Sequence, residues 1–240
     1  MSKPIDVWFH CWCGNNQFNV LNSRIFKYCV DKIAKLKNSG LYDSMSNFYI
    51  VAHGVSYKNE FLFDDLQNIY SKVKVIKLDR PKIGHESDTL NLMLEKYKND
   101  PSDYNVLFFH TKGFSYPEQP THQNWIRYMD LFMIHKWKEN QNILENYDTS
   151  GIFFFEPDEE SRKEGEPDNR KTYAGWFWWS KSEHLKKIDF LTHRMDRGKG
   201  GEFSLITPDC KYYVMETNFP TDVDLHQQVW CDESKFPEGW

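Results

Sequence analysis

The chain alternates short apolar segments with longer segments of helical periodicity, and this alternation constrains the fold more than any other feature. Apolar runs of strand length occur at Ile5–Cys11, Asn47–Ala52, Lys72–Leu78 and Asn105–Phe109. Between them, apolar residues recur at the spacing of one helical face. Repeated strand–helix–strand units build parallel sheets. The sequence therefore predicts one α/β domain over residues 1–240, with a mostly parallel central sheet and helices on both faces.

The second half of the chain continues this pattern. One long helix is predicted over His122–Asn146, followed by a break at Asp148–Gly151 and by strands at Ile152–Phe155 and Tyr173–Ser180. The charged segment Glu156–Arg170 is interpreted as a solvated loop. Shorter predicted elements are the helices Val20–Lys37, Leu62–Tyr70 and Ser182–Ile188, a helix capped by Ser87–Thr89, and a strand at Lys211–Glu216.

Charge and composition exclude several classes of protein. The formal net charge is −5 and the pI is about 6.0, whereas nucleic-acid-binding domains usually have a basic patch and a high pI. The five cysteines form no CxxC pair, and Cys11 and Cys13 beside His10 are interpreted as buried strand residues rather than metal ligands. The sequence has no signal-peptide pattern and no apolar run near the roughly 20 residues of a membrane span. A cytoplasmic protein is therefore expected.

The motifs of several large enzyme classes are absent from the sequence. There is no GxGxxG after the first predicted strand, and there is no GxxxxGK[ST], GxSxG or HExxH. Dinucleotide enzymes, P-loop enzymes, nucleophile-elbow hydrolases and zincins are therefore not expected.

The fourth predicted strand ends abruptly in polar residues. The segment VLFFHTKG runs from buried apolar side chains into His110, Thr111 and Lys112. Ligands of open α/β sheets bind outside the carboxyl ends of the strands. A lysine ammonium can neutralise a diphosphate, and a histidine can donate a hydrogen bond to it. The junction is therefore a predicted site for an anionic group.

Five segments, taken together in order, resemble a family of small viral and bacterial glycosyltransferases of the GT-A type. They are KLKNSGLYDSMSNFYIVAHG, ESDTLNLMLEK, VLFFHTKG, NWIRYMDLFMIHKWKENQNILENYDTSGIFFF and YAGWFWWSKSEHLKKI. The likeness covers roughly residues 5–206 and implies a GT-A-like, Rossmann-like fold. About residues 1–112 would form the nucleotide-binding half and about residues 113–240 the acceptor half.

The resemblance also implies an activity. The chain would be a hexosyl- or pentosyltransferase that moves a sugar from a nucleotide-sugar donor to a hydroxyl of a glycan acceptor. The expected donor is a UDP- or GDP-sugar. The expected compartment is the cytoplasm, or the host cytoplasm if the chain is viral, with no nucleic acid or membrane span as partner.

GT-A folds generally carry Asp-x-Asp where this chain has His110-Thr111-Lys112, so the resemblance makes a metal-independent enzyme plausible. No motif demands a cofactor; if Mn²⁺ or Mg²⁺ is used, His110 and Asp158 are its candidate ligands, although the loop around Asp158 is interpreted as plainly acidic. The nucleoside is expected across the ends of the first and third strands. The donor-binding candidates are His10, Cys11, Asp79, Arg80, Thr89, Asn91, His110, Lys112 and Gly113.

An inverting enzyme needs a carboxylate base within reach of the acceptor hydroxyl. The resemblance places this base at Glu202, although Ser204 replaces a tryptophan of the family pattern. Asp209 is the second candidate and Asp130 the third.

The candidates for contact with the sugar or acceptor are Tyr173, Gly175, Trp176 and Trp178. Trp176 stands where the family has asparagine, which puts the corresponding amide contact in question. Because strand residues alternate faces, Trp176 and Trp178 are expected on one face of the sheet and Trp179 on the other.

Two other functions stay open. A catalytically idle nucleotide- or carbohydrate-binding module on the same fold would account for the missing Asp-x-Asp, and donor turnover separates it from an enzyme. A nucleotidyltransferase of similar fold usually carries a Gly-rich basic loop after the first strand, whereas Cys13–Gln17 contains no basic residue.

Overall fold

The computed structural model describes residues 3–13, 19–55, 60–78, 86–111, 120–156, 171–173, 175–188 and 205–215. The strands are β1 Ile5–Trp12, β2 Asn47–His53, β3 Val73–Leu78, β4 Asn105–His110, β5 Thr149–Gly151, β6 Phe154–Phe155, β7 Thr172–Tyr173, β8 Trp178–Lys181 and β9 Tyr212–Val214. The helices are α1 Asn19–Asn38, α2 Leu41–Ser44, α3 Glu60–Ile69, α4 Ser87–Asn99, α5 Pro120–Asp130, α6 Trp137–Asn146 and α7 Ser182–Leu185, with a π-helical turn at Leu131–His135 between α5 and α6.

Within the described residues, the central sheet has seven strands in the order β3-β2-β1-β4-β8-β5-β9. Strands β3, β2, β1 and β4 are parallel, β8 is antiparallel to both of its neighbours, and β5 and β9 are again parallel. The predicted α/β class with a mostly parallel sheet is therefore confirmed. Among the described helices, none combines the length and apolar character that a membrane span requires.

Both faces of the sheet are covered, as predicted. One face packs against α1 and the α5–α6 segment, and the other packs against α4 and α7. Alternation along β8 places Trp178 in the α4 layer and Trp179 in the α1 layer, and Trp176, in the bend before β8, packs in the α4 layer with Trp178. The prediction for the three tryptophans is confirmed.

The predicted single helix His122–Asn146 is wrong in its continuity. The amide of Lys136 donates to the carbonyl of Leu131 at 3.0 Å, the i→i+5 bond of a π-helical turn. The wider turn frees carbonyl groups, and side chains satisfy them. Asn140 Nδ2 donates to the carbonyl of Phe132 at 2.8 Å, and Trp179 Nε1 donates to that of Met133 at 2.8 Å.

The two strands predicted after this helix are also partly wrong. The predicted break at Asp148–Gly151 contains β5, a strand of the central sheet, and both later segments are divided by bends. The bends contain residues of positive φ, Phe153 at 54° in one and Gly175 at 92° with Trp176 at 56° in the other. Beyond the bends, Phe154 pairs with Tyr173 in a separate two-stranded sheet. Left-handed backbone does not continue a strand, so hydrophobicity alone does not mark these boundaries.

Candidate functional site

The candidate site lies at the carboxyl ends of the parallel strands. His10, two residues before the end of β1, and His110, the last residue of β4, are register partners on adjacent strands. The strand order reverses between them, because β2 and β3 lie on one side of β1 and β4 lies on the other. Such a reversal opens a crevice in which ligands of open α/β sheets bind.

A threonine hydroxyl links two buried histidines in this crevice. Thr89 Oγ1, near the start of α4, lies 2.9 Å from His10 Nδ1 and 3.3 Å from His53 Nε2. The two imidazole rings are 4.5 Å apart between centroids. One hydroxyl has a single proton, so at least one histidine must donate to it if both bonds form. Burial lowers the pKa of His53, and the nearby charges of Asp88 and Glu86 oppose this shift without reversing it.

His110 has an acceptor at each ring nitrogen. Its Nε2 donates to the carbonyl of Gly175 at 2.9 Å, and its Nδ1 lies 3.2 Å from Glu86 Oε1. Burial alone would raise the pKa of Glu86, but the hydrogen bond and charge of His110, with the charge of His10, hold that pKa well below its usual range. Glu86 is therefore ionised at neutral pH, and its carboxylate is an anionic acceptor for a proton on Nδ1 of His110.

The bend held by His110 is strained. Gly175 has a φ of 92°, and a Cβ there would lie 2.7 Å from Met129 Sδ. The next residue, Trp176, is buried although its φ is 56°, a conformation uncommon for bulky side chains. Such strain persists only where surrounding contacts impose it, and it clusters at functional sites. The glycine is thus required by packing and backbone conformation in the free protein.

Four of the predicted site residues come together here: His10, Thr89, His110 and Gly175. The Cys11 side chain does not, because it points to the other face, where its sulfur lies 3.7 Å from that of Cys29. Asn91 lies on α4, and its side-chain oxygen is buried with no hydrogen-bond partner among the described residues.

The aromatic candidates are packed inside the protein. Tyr173 is 1% exposed, and its hydroxyl donates to the carbonyl of Tyr213 at 3.1 Å. Trp176 and Trp178 are also buried, and each contacts the ring of Phe108. Contact of these side chains with a sugar stays a prediction, and in this conformation it requires rearrangement.

The acidic candidates are dispersed. Asp130, the third candidate base, is completely buried in an ion pair with Lys32 and Lys35. Both of its carboxylate oxygens are engaged in this pair, so the structure disfavours it as the base. Asp209 is exposed and precedes β9, so it lies near the amino-terminal ends of the strands, away from the candidate site. The candidates Glu202, Asp79, Arg80, Lys112, Gly113 and Asp158 lie outside the described residues.

The sequence did not predict several members of the cluster: His53, Glu86 and Asp88. His53 ends β2 as His110 ends β4, and its place at the carboxyl end of a parallel strand could have identified it; its register partner in β1 is Trp12, two residues beyond His10. Glu86 gave no such signal. It is the N-terminal flanking residue of α4 and forms no side-chain capping bond, and the hydroxyl of the predicted cap Ser87 has no hydrogen-bond partner among the described residues. The carboxylate of Glu86 instead pairs with a residue far away in the sequence.

No protein-family model and no curated protein matches the chain. Among solved structures, the chain is similar to the crystal structure of 4-diphosphocytidyl-2C-methyl-D-erythritol synthase, with a TM-score of 0.39 and 11% identity. The match covers 85% of this chain and 84% of that chain. This likeness is too low to support a functional inference, so the site is interpreted from its own geometry.

Proposed function

We propose that this chain is a glycosyltransferase that moves a hexosyl or pentosyl group from a UDP- or GDP-sugar to a hydroxyl of a glycan acceptor. The observation that carries the proposal is the polar cluster His10, His53, Thr89, Glu86 and His110 at the reversal of strand order. Four of these side chains are buried and Glu86 is half-buried; placing so many polar groups here contributes little to stability, whereas nucleotide ligands of such sheets bind at this position.

The end of β4 is the proposed diphosphate site. Thr111, Lys112 and Gly113 follow His110, and the resemblance to GT-A glycosyltransferases places the donor at this segment. An incoming phosphate oxygen would compete with Glu86 for the Nδ1–H of His110, since both are anionic acceptors at one donor. His110 would keep its bond to Gly175 and so hold the bend while it contacts the donor.

In the proposed reaction, the bond between the anomeric carbon and the donor phosphate breaks and a bond to the acceptor oxygen forms. The nucleoside diphosphate leaves, and the acceptor hydroxyl loses its proton to a base. Glu202 is the proposed base. Asp209, the second candidate, lies near the amino-terminal ends of the strands, so Glu202→Gln is the first variant to test.

The idle binding module remains the second candidate, favoured by one observation. Tyr173, Trp176 and Trp178, the residues expected to contact the sugar or acceptor, are all buried in the free protein. A module that binds only the nucleotide would need no such surface.

The test is calorimetric titration of UDP, GDP and their sugars, with and without Mn²⁺, followed by an assay of nucleoside diphosphate release. Thr89→Val should weaken binding at least tenfold, because it removes the hydroxyl that orients His10 and His53. Thr149→Val is the matched control: Thr149 is equally buried and donates to the carbonyl of Trp179 at 2.6 Å, but it lies at the amino-terminal end of β5.

Each outcome is decisive. Binding with diphosphate release supports a donor-using enzyme, and transfer to an acceptor completes the assignment. Binding without turnover of any nucleotide sugar supports the idle module instead. Equal losses in Thr89→Val and Thr149→Val, or no binding to any nucleotide or nucleotide sugar, overturn the proposed site.

A second variant tests the diphosphate contact by the sign of its effect. Glu86→Gln removes the charge that competes with phosphate, so we expect nucleoside diphosphate to bind about tenfold more tightly. Two unit charges 4 Å apart interact by about 1 kcal/mol in water and about 4 kcal/mol near a protein surface, and a tenfold change lies within this range. Unchanged affinity would mean that His110 only positions the bend. Weaker binding would mean that Glu86 itself contacts the donor.

A further inference from the structure

We infer that Asp148, His184 and Cys210 form a site for one transition-metal ion of the zinc type. Each residue offers one ligand atom, and these atoms all lie within 4.8 Å of one another. Asp148 precedes β5, His184 lies in α7, and Cys210 precedes β9, so the site joins three separate segments.

The site lies beside the amino-terminal ends of the parallel strands, whereas the histidine cluster lies at their carboxyl ends. Thr149 pairs with Ser180, and the neighbouring Lys181 pairs with Asn105 at the start of β4. His110 ends the same strand. The inference therefore does not rest on the proposed function.

Hydrogen bonds prepare two of the ligands for a metal. His184 Nε2 lies 2.7 Å from the carbonyl of Leu205, which can only accept, so Nε2 carries the proton and the neutral ring offers Nδ1. Metal-binding histidines characteristically donate their other nitrogen in this way. Asp148 Oδ2 accepts the amide of Lys211 at 3.0 Å, which orients the carboxylate.

The backbone around the ligands is also held in place. The amide of Asp148 donates to the carbonyl of Lys211 at 2.7 Å, and its carbonyl accepts the amide of Lys181 at 2.9 Å. The amide of Cys210 donates to the carbonyl of Thr207 at 3.0 Å. The three ligands therefore sit on backbone whose position is defined by other contacts.

The donor set selects the class of metal. A thiolate, an imidazole and a carboxylate suit zinc and its neighbours, whereas Mg²⁺ and Ca²⁺ prefer oxygen ligands alone. Thiolate and carboxylate together carry two negative charges, which one dication neutralises. Three protein ligands leave a fourth tetrahedral position for water.

Coordination must overcome two opposing effects. Burial and the charge of Asp148 raise the pKa of the Cys210 thiol to about 12, so the metal must displace the thiol proton. The positive charges of Lys181 and Lys187 also lie near His184. Neither lysine forms part of the ligand set, and neutralisation of the thiolate and carboxylate is the compensating gain.

The test is titration of the chelator-treated full chain with Co²⁺, a spectroscopic substitute for zinc. One equivalent should produce thiolate-to-cobalt charge-transfer absorption and the visible bands of tetrahedral cobalt, and Zn²⁺ should remove both. Mg²⁺ should remove neither. Cys210→Ser should abolish the charge-transfer band, and Asp148→Asn and His184→Gln should each weaken Co²⁺ binding at least tenfold.

Cys29→Ser is the matched control, because Cys29 is also buried and lies 3.7 Å from another thiol, that of Cys11. Its cobalt spectrum should equal that of the unaltered protein, as should that of Cys231→Ser. No band in the unaltered protein, or a band that survives Cys210→Ser, overturns the inference. Circular dichroism checks folding; if Cys210→Ser does not fold, unchanged Co²⁺ affinity in His184→Gln and Asp148→Asn overturns it equally.

Discussion

Replacing Gly151 with alanine should destabilise the protein by about 3 kcal/mol, because the ring of Tyr173 occupies the position of the new methyl group. A Cβ at Gly151 would lie 2.4 Å from Tyr173 Cγ and 2.6 Å from both Cδ atoms. Rotation of the ring about its own axis leaves Cγ in place, so the whole side chain must move. Tyr173 is 1% exposed and has no open space to enter.

The magnitude follows from two contributions. Overpacking a closed core costs about 1–3 kcal/mol. Displacement of Tyr173 also stretches the bond from its hydroxyl to the carbonyl of Tyr213, now 3.1 Å, whose loss costs about 1 kcal/mol. The free energy of unfolding is measured by urea denaturation, with tryptophan fluorescence and circular dichroism as independent probes.

Gly40→Ala is the control for backbone strain. Gly40 has a φ of 77°, but nothing lies within 4 Å of the position of its Cβ, so only the left-handed conformation is penalised, by about 1–2 kcal/mol. In a Tyr173→Ala background, Gly151→Ala should cost less than about 1 kcal/mol, since the obstructing ring is gone. The reasoning is refuted if Gly151→Ala costs no more than Gly40→Ala, or if its cost is the same in both backgrounds.

Two further predictions concern buried charge. Asp130→Asn should destabilise the protein by about 3–5 kcal/mol, because it leaves Lys32 buried without its carboxylate, and burial already lowers the pKa of that lysine to about 8. Lys32→Met should cost about 1 kcal/mol or less, because Asp130 keeps Lys35; equal costs in urea denaturation would contradict this account. The pKa of Glu86 is lower in the folded protein than its ordinary value of 4.5, so its contribution is present above that pH and is lost as the pH falls below it. Between pH 5 and pH 3, stability should therefore fall more steeply in the unaltered protein than in Glu86→Gln, and parallel urea midpoints across this range would disprove the pairing with His110.

The first half of the fold could be predicted closely from the sequence. The predicted strands and helices there match the observed ones to within about two residues, because each is a continuous apolar run or a clear helical stripe between polar turns. His110, which ends β4, could be nominated from the strand pattern, because parallel strands bring their carboxyl ends together. His10 and Thr89 are nominated by the resemblance to GT-A glycosyltransferases.

The second half shows where local pattern is insufficient. The π-helical turn before α6 depends on Asn140 and Trp179, which bond the carbonyls that the turn releases. The bend at Gly175 depends on Met129 and on the bond from His110. These partners are distant in sequence, so no window of neighbouring residues contains the information.

The sequence by itself determined the alternation of strands and helices in the first half of the chain, the two-sided burial of the sheet and the carboxyl ends of the strands at which polar side chains collect. These properties follow from the periodic partition of apolar residues away from water, which short segments express on their own. Only the tertiary structure decided the pairing of Glu86 with His110, the burial of Asp130 between two lysines, and the meeting of Asp148, His184 and Cys210. Such contacts depend on how segments far apart in the chain are placed in space, because a charge or a ligand atom acts over a few ångströms and leaves no periodic trace in the sequence.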